Sequence, residues 1–259
     1  LAGLVAGGVT IAVGELVAAF VRPAAAPVIA VGNRVIVLTP EPVKRWATRE
    51  FGTNDKDVLL TGIYVLLAAC AIAVGILAVR WLWAGLLGVA VLGAFAVYCA
   101  LTAPGHHSGD VVPAILGAVA GAVTLRALLH SAETSASRRQ FLGASAALAG
   151  GALAVGFGGR ALQHARHDVT KQRAALTLPA PASPAPGASG ADLGKGAVSF
   201  DTPNPRFYRI DTALTLPQID PKNWRLRIHG LVKNELTLTY DDLLHRPLIE
   251  RWITLTCVS

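Results

Sequence analysis

Charge is scarce in this sequence. Only 15% of its 259 residues are Asp, Glu, Lys or Arg, and the mean hydropathy is +0.51, where a soluble domain carries roughly 25% charge. A wholly water-soluble globular protein is thereby excluded. The scarcity is uneven: residues 1–159 hold ten Lys/Arg and seven Asp/Glu, whereas residues 160–259 hold thirteen and nine. The first part reads as a membrane protein and the second as a water-soluble one. Methionine is absent, and the chain opens on Leu1 and closes on Ser259 within an expected strand. The sequence is therefore expected to be a piece of a longer protein at both ends. Basic blocks interleaved with aromatics are also absent, so the net charge of +7 carries no nucleic-acid signal. Three cysteines occur, Cys70, Cys99 and Cys257, and their spacing fits neither a disulfide framework nor a zinc site. Cys70 and Cys99 fall inside apolar runs, where a thiol packs as a small hydrophobe.

Long apolar runs are plentiful. Crossing the hydrocarbon core takes about 20 mostly apolar residues in a helix. Residues 58–79, 81–103 and 140–159 contain no charge; 111–129 contain only Arg126, and 1–21 only Glu15. Lipid offers no hydrogen-bond partners, so each run must be helical, and the pattern predicts an all-α bundle of about five spans over residues 1–159. Glu15 has two readings. An acid within a span is costly and often functional. It also lies near one end, within reach of the interface and of Arg22, and that plainer reading is favoured. The connection 22–57 holds a short apolar run, 28–38, bounded by Pro27 and Pro40. It is too short to span and is expected to be interfacial or re-entrant.

Ser137-Arg138-Arg139-Gln140-Phe141-Leu142 precedes a weakly hydrophobic, Gly/Ala-rich stretch ending at Gly159. The string resembles a twin-arginine export signal. Two arginines also flank ordinary helices on the cytoplasmic side, but Phe141 and Leu142 at these offsets favour the signal. No small-residue cleavage site follows closely, so the segment is expected to stay as an anchor. Both readings place Arg138 and Arg139 in the cytoplasm and everything after Gly159 outside. Connection 102–110 would then lie outside, and it has no Lys or Arg. Connection 22–57 would lie outside too, yet it holds six, against the positive-inside rule.

Residues 160–195 read as a linker. Within them LPAPASPAPGASG, 178–190, cannot bury a core and is expected to be extended and mobile. From 196 onward short segments take over. Trp224, Leu226 and Ile228 alternate with Arg225, Arg227 and His229, the pattern of a half-buried strand. Leu236, Leu238 and Tyr240 alternate with Thr237 and Thr239, and Lys233-Asn234-Glu235 suits the turn of a hairpin. Thr239 and Asp242 fit a capping box for a short helix through Leu244, stopped by Pro247. Ile253, Leu255 and Cys257 share one face of a third expected strand. Residues 201–211 read as an ordered loop. Together these features give the start of a mixed α+β domain. On residue type alone, His229 is a solvated side chain and Cys257 a buried, inert thiol.

The ordered series changes that reading. Phe207-Tyr208-Arg209-Ile210-Asp211, Trp224-Arg225-Leu226-Arg227-Ile228-His229-Gly230, Leu238-Thr239-Tyr240-Asp241-Asp242-Leu243-Leu244 and Ile253-Thr254-Leu255-Thr256-Cys257-Val258-Ser259 resemble the opening of the molybdopterin-binding domain of the sulfite oxidase family, in particular its bacterial membrane-anchored members. The resemblance covers about residues 200–259 and implies a truncated start of an α+β domain after the helix bundle. It implies that Cys257 binds molybdenum at the catalytic centre, and that Arg206, Phe207, Tyr208 and Arg209 help hold the pterin, on a looser match. A thiolate suits a metal already bound by sulfur. The implied chemistry is two-electron oxygen-atom transfer, as sulfite oxidation or sulfoxide reduction, with a quinone-linked or membrane electron partner. The export signal agrees, because the twin-arginine route carries folded proteins and this cofactor is inserted before export. The 259-residue piece alone is expected to be inactive.

Three other readings compete with this one. One is a polytopic membrane protein with a non-enzymatic external binding or interaction domain, Cys257 being merely buried. Another puts haem in the helices, which needs facing histidine pairs within spans. His106 and His107 fall in a connection and His130 at a helix end, so haem is not expected. The last is a transporter, against which Glu15 stands as the only acid within a span.

Overall fold

The computed structural model describes residues 1–103, 105–133, 138–185, 214 and 217–253. They divide into two compact units, the first built on Leu1–Asp168 and the second beginning at Val169.

The first unit is helical: α1 (Ala2–Val21), α2 (Pro27–Leu38), α3 (Glu41–Phe51), α4 (Asp55–Arg80), α5 (Leu82–Leu101), α6 (Val112–Glu133) and α7 (Arg138–His167). Proline sets several boundaries. Pro23 follows the end of α1, while Pro27 and Pro42 sit in the first turns of α2 and α3, where a missing N–H costs nothing. Gly52 ends α3 in a left-handed conformation, φ +56°, which favours glycine. Asp55 and Asp57 open α4 and Arg80 closes it, each charge matched to the helix dipole. Helices α1, α4, α5, α6 and α7 are all long and apolar enough to cross a membrane.

The packing is inverted relative to a water-soluble bundle. The interior is made mainly of small residues: Ala2, Ala6, Ala12, Ala18, Ala19 and Ala78 are buried. Large side chains point outward: Val65, Leu66, Ile76, Val79, Val91 and Val123 are each more than half exposed. Small residues let helix backbones approach, which is how helices associate where lipid gives no hydrophobic drive between them. A Cβ on Gly75 would stand 2.9 Å from the Gly3 Cα, and one on Gly159 would stand 2.8 Å from the Leu16 Cα. Only glycine permits either approach.

These contacts fix the sense of each helix. Gly3 meets Gly75 and Gly7 meets Ala71, so α1 and α4 run antiparallel. Ala78 meets Gly85 and Val74 meets Gly88, so α4 and α5 do too. Gly14 meets Pro113 and Ala6 meets Gly121, which makes α6 antiparallel to α1. Ala12 meets Gly156, Leu16 meets Gly159 and His167 faces the Ala19 carbonyl at 3.3 Å, so α7 runs parallel to α1. The five long helices alternate as consecutive crossings must. The ends of α1, α5 and α7 share one side.

One expectation for the first unit changes. Glu15 does not reach out to Arg22. It is 3% exposed, Gln163 Nε2 donates to its Oε2 at 3.0 Å and to its backbone oxygen at 2.7 Å, and Arg160 Nη2 lies 3.5 Å from its Oε1, an ion-pair distance without a hydrogen bond. The reason is the close α1–α7 approach at Gly159, which covers that face of α1. Arg22 turns instead to the buried Asp110, with Nε 2.7 Å from Oδ1. Run 28–38 forms α2, with Val28, Ala30 and Gly32 buried and Ala30 clustered with Cys99 and Ala100 of α5. Arg34 of α2 donates to the Tyr98 hydroxyl at 3.0 Å, its guanidinium 5.4 Å from the ring centroid. Two of the six cations in the 22–57 connection are thus folded into the bundle.

Helix α7 has 30 residues, about 45 Å at 1.5 Å each, against a hydrocarbon core of about 30 Å. The segment from 160 therefore starts as helix. In the second unit α8 (Thr170–Ala174) follows, then β1 (Arg225–Ile228), β2 (Leu236–Thr239) and α9 (Tyr240–Leu244).

Candidate functional site

Strands β1 and β2 pair antiparallel in the register Arg225↔Thr239, Leu226↔Leu238, Arg227↔Thr237 and Ile228↔Leu236. Side chains alternate across a strand, so Leu226, Ile228, Leu236 and Leu238 form one apolar face and Arg225, Arg227, Thr237 and Thr239 the other. Leu238 is buried, while Leu226, Ile228 and Leu236 stay 37–43% exposed. β1 was expected to be half-buried; all four of its residues are exposed. A two-stranded ribbon covers only itself, and the described residues supply little to layer on it. On the polar face Arg227 Nη2 reaches Glu235 Oε2 at 2.8 Å. The connection turns at Gly230, φ +93°.

The strand-to-helix step is fixed by a reciprocal cap, as the Thr239/Asp242 spacing predicts. Asp242 N–H donates to Thr239 Oγ1 at 3.0 Å, and Thr239 N–H donates to Asp242 Oδ2 at 2.8 Å. The Thr239 hydroxyl also donates to Oδ2, at 2.7 Å. The hydroxyl and then the backbone N–H of Thr239 hold the Asp242 carboxyl below the usual carboxylate range, because both bonds favour the charged form. Tyr240, read as the end of β2, is instead the first residue of α9. It packs edge-on to Trp224, with ring centroids 5.7 Å apart, and so ties the helix start to the entry of β1.

A second pairing lies in the segment read as mobile. Ala182 N–H donates to the Leu248 carbonyl at 2.7 Å and Glu250 N–H to that of Ser183 at 2.9 Å, a parallel bridge between Ser183 and Ile249. Arg251 adds hydrogen bonds to Ser183 Oγ at 3.1 Å. Proline cannot donate to a ladder, and Pro181 and Pro184 flank the short Ala182-Ser183 stretch that pairs. No periodic pattern marks this contact, since two residues are too few to show one.

Cys257 and the Arg206, Phe207, Tyr208, Arg209 group lie outside the described residues, as does the expected third strand beyond Ile253. His229 is exposed at the end of β1, as expected of a solvated side chain. Among the described residues no three of His, Cys, Asp and Glu gather as a metal site.

No curated protein and no solved structure matches the chain. Residues 213–259 match the family model described as the oxidoreductase molybdopterin binding domain, so the hairpin, α9 and the segment ending in Cys257 read as the opening of such a domain.

Proposed function

We propose that this chain is the membrane-anchored opening of a molybdenum-cofactor oxidoreductase of the sulfite oxidase type, working outside the cytoplasm. The family match over residues 213–259 carries the reading, because it takes in the last three stretches of the ordered series, Cys257 included. Five helices with outward-facing large apolar side chains support a lipid environment for residues 1–168.

In this reading the Cys257 thiolate ligates the metal, and Arg206, Phe207, Tyr208 and Arg209 hold the pterin. When bound, the group supplies two-electron oxygen-atom transfer to or from a small sulfur substrate. The chain's own part is positioning. The Thr239–Asp242 cap and the Trp224–Tyr240 contact set the angle at which the chain leaves the hairpin, and the Ser183–Ile249 bridge holds the segment that precedes Arg251. Export follows the twin-arginine route from Arg138 and Arg139, and electrons pass to a membrane or quinone-linked partner.

The test is molybdenum content of the full-length protein purified from a host that makes the cofactor. Near-stoichiometric metal that falls at least tenfold in a folded Cys257→Ser variant is expected. Metal-free, folded, exported protein would overturn the enzyme reading in favour of an external binding domain.

A further inference from the structure

Helix α3 is an unusual element of the first unit. None of its residues is buried, although it sits between the short apolar α2 and the long apolar α4. Val43, Trp46, Ala47 and Phe51 recur at i, i+3, i+4 and i+8, one stripe of a helix, and Val43 and Trp46 are 48% and 57% exposed. Trp46 and Phe51 meet edge-on with centroids 5.6 Å apart, so the two rings form one apolar surface. Arg45 and Arg49 lie on the opposite side, with Arg45 3.9 Å from Glu41 one turn back, and half-buried Lys44 lies at the flank beside Phe51. Glu50 falls within the apolar stripe, and a carboxylate limits how deep that stripe can sink.

Position says what covers the face. Helix α3 ends three residues before α4, whose exposed Val58, Val65 and Leu66 continue the same apolar surface along the span. At the far end of α4 lie Trp81 and Trp83, 55% and 68% exposed. Tryptophan collects at both membrane–water interfaces, and α4, about 39 Å long at 1.5 Å per residue, separates Trp46 from that pair by about one bilayer.

We propose that α3 lies in the plane of the bilayer surface on the side where α1 ends and α4 begins. Val43, Trp46 and Phe51 enter the boundary between headgroups and acyl chains, Arg45 and Arg49 face the phosphates, and Lys44 reaches them from the flank. Helices of this type sit about 5–10 Å into that boundary. The proposal rests on the reading that the long helices span a membrane, and its test separates the two.

A solvatochromic fluorescent amino acid is placed singly at position 46, 45 or 95 of the full chain, which is reconstituted in phosphatidylcholine nanodiscs carrying lipid spin-labelled high or low on the acyl chain. Positions 46 and 45 are on exposed α3, and Phe95 is mid-helix and 46% exposed, so no probe disturbs the core. The expected result is blue-shifted emission at 46, losing about half its intensity to the shallow label and less to the deep one, with water-like emission at 45. Position 95 should be quenched most by the deep label. Quenching at 95 with none at 46, whether the emission at 46 is water-like or blue-shifted, overturns the in-plane helix alone. No quenching at either position overturns the membrane reading and the proposal with it.

Discussion

Glu15 sits where an unpaired carboxylate would be costly, and α7 supplies its partners. Gln163 donates to both its side chain and its backbone oxygen, and Arg160 stands at ion-pair distance. Arg160 directly follows Gly159, the residue that admits the close approach, and Gln163 lies one turn on, so the acid and its pairing depend on one backbone contact. Arg22, freed from Glu15, meets Asp110, which also accepts from the His107 N–H at 2.8 Å. Asp242 shows the same economy at the surface of the second unit. Its carboxyl titrates below its unfolded value, so its contribution to the α9 cap is complete above the usual carboxylate range. That contribution is lost as pH falls through the lowered value. We expect the Thr239 amide resonance, followed in threonine-labelled protein, to shift at a pH below the ordinary Asp range. In Asp242→Asn that acid transition should vanish while the helix start remains.

At the level of elements, the α1–α7 pair is held by shape as much as by charge. A side chain at Gly159 would strike the Leu16 backbone at 2.8 Å, whereas one at Gly158 meets nothing within 4 Å. Gly159→Val should therefore destabilise the bundle by roughly 1–3 kcal/mol, the usual cost of overpacking, and Gly158→Val by less than about 0.5 kcal/mol. Unfolding in mixed micelles followed by circular dichroism measures both. Equal effects would mean that α7 does not dock on α1 through this face. The hairpin and α9 were legible from alternation and from a capping box, because both signals are local. Tyr240 was misplaced because strand alternation and a helix start overlap at that position, and the cap geometry at Thr239 decides between them.

For the whole molecule, direction matters most. The alternating sense of α1, α4, α5, α6 and α7 places the end of α7 on the same side as the 22–54 and 102–111 connections. If Arg138 and Arg139 direct export, Arg138→Lys with Arg139→Lys should leave the region after α7 on the cytoplasmic side. External protease would then no longer cleave within 178–190 of intact spheroplasts, while wild-type protein is cut. Cleavage undiminished by the substitutions would remove the twin-arginine reading. All six Lys/Arg of the 22–57 connection still count against that orientation.

The sequence by itself determined the number of long apolar helices, the change to a water-soluble pattern, the hairpin and its cap, and the series ending in Cys257. Each is written in composition or in spacing over a few residues. Tertiary structure decided which partner Glu15 takes, that run 28–38 packs on α5, that a proline-rich stretch pairs at Ser183, and that α3 is left with its apolar face uncovered. Those outcomes depend on contacts between residues far apart in the chain, where the close approach of two backbones, and not any local preference, selects the neighbour.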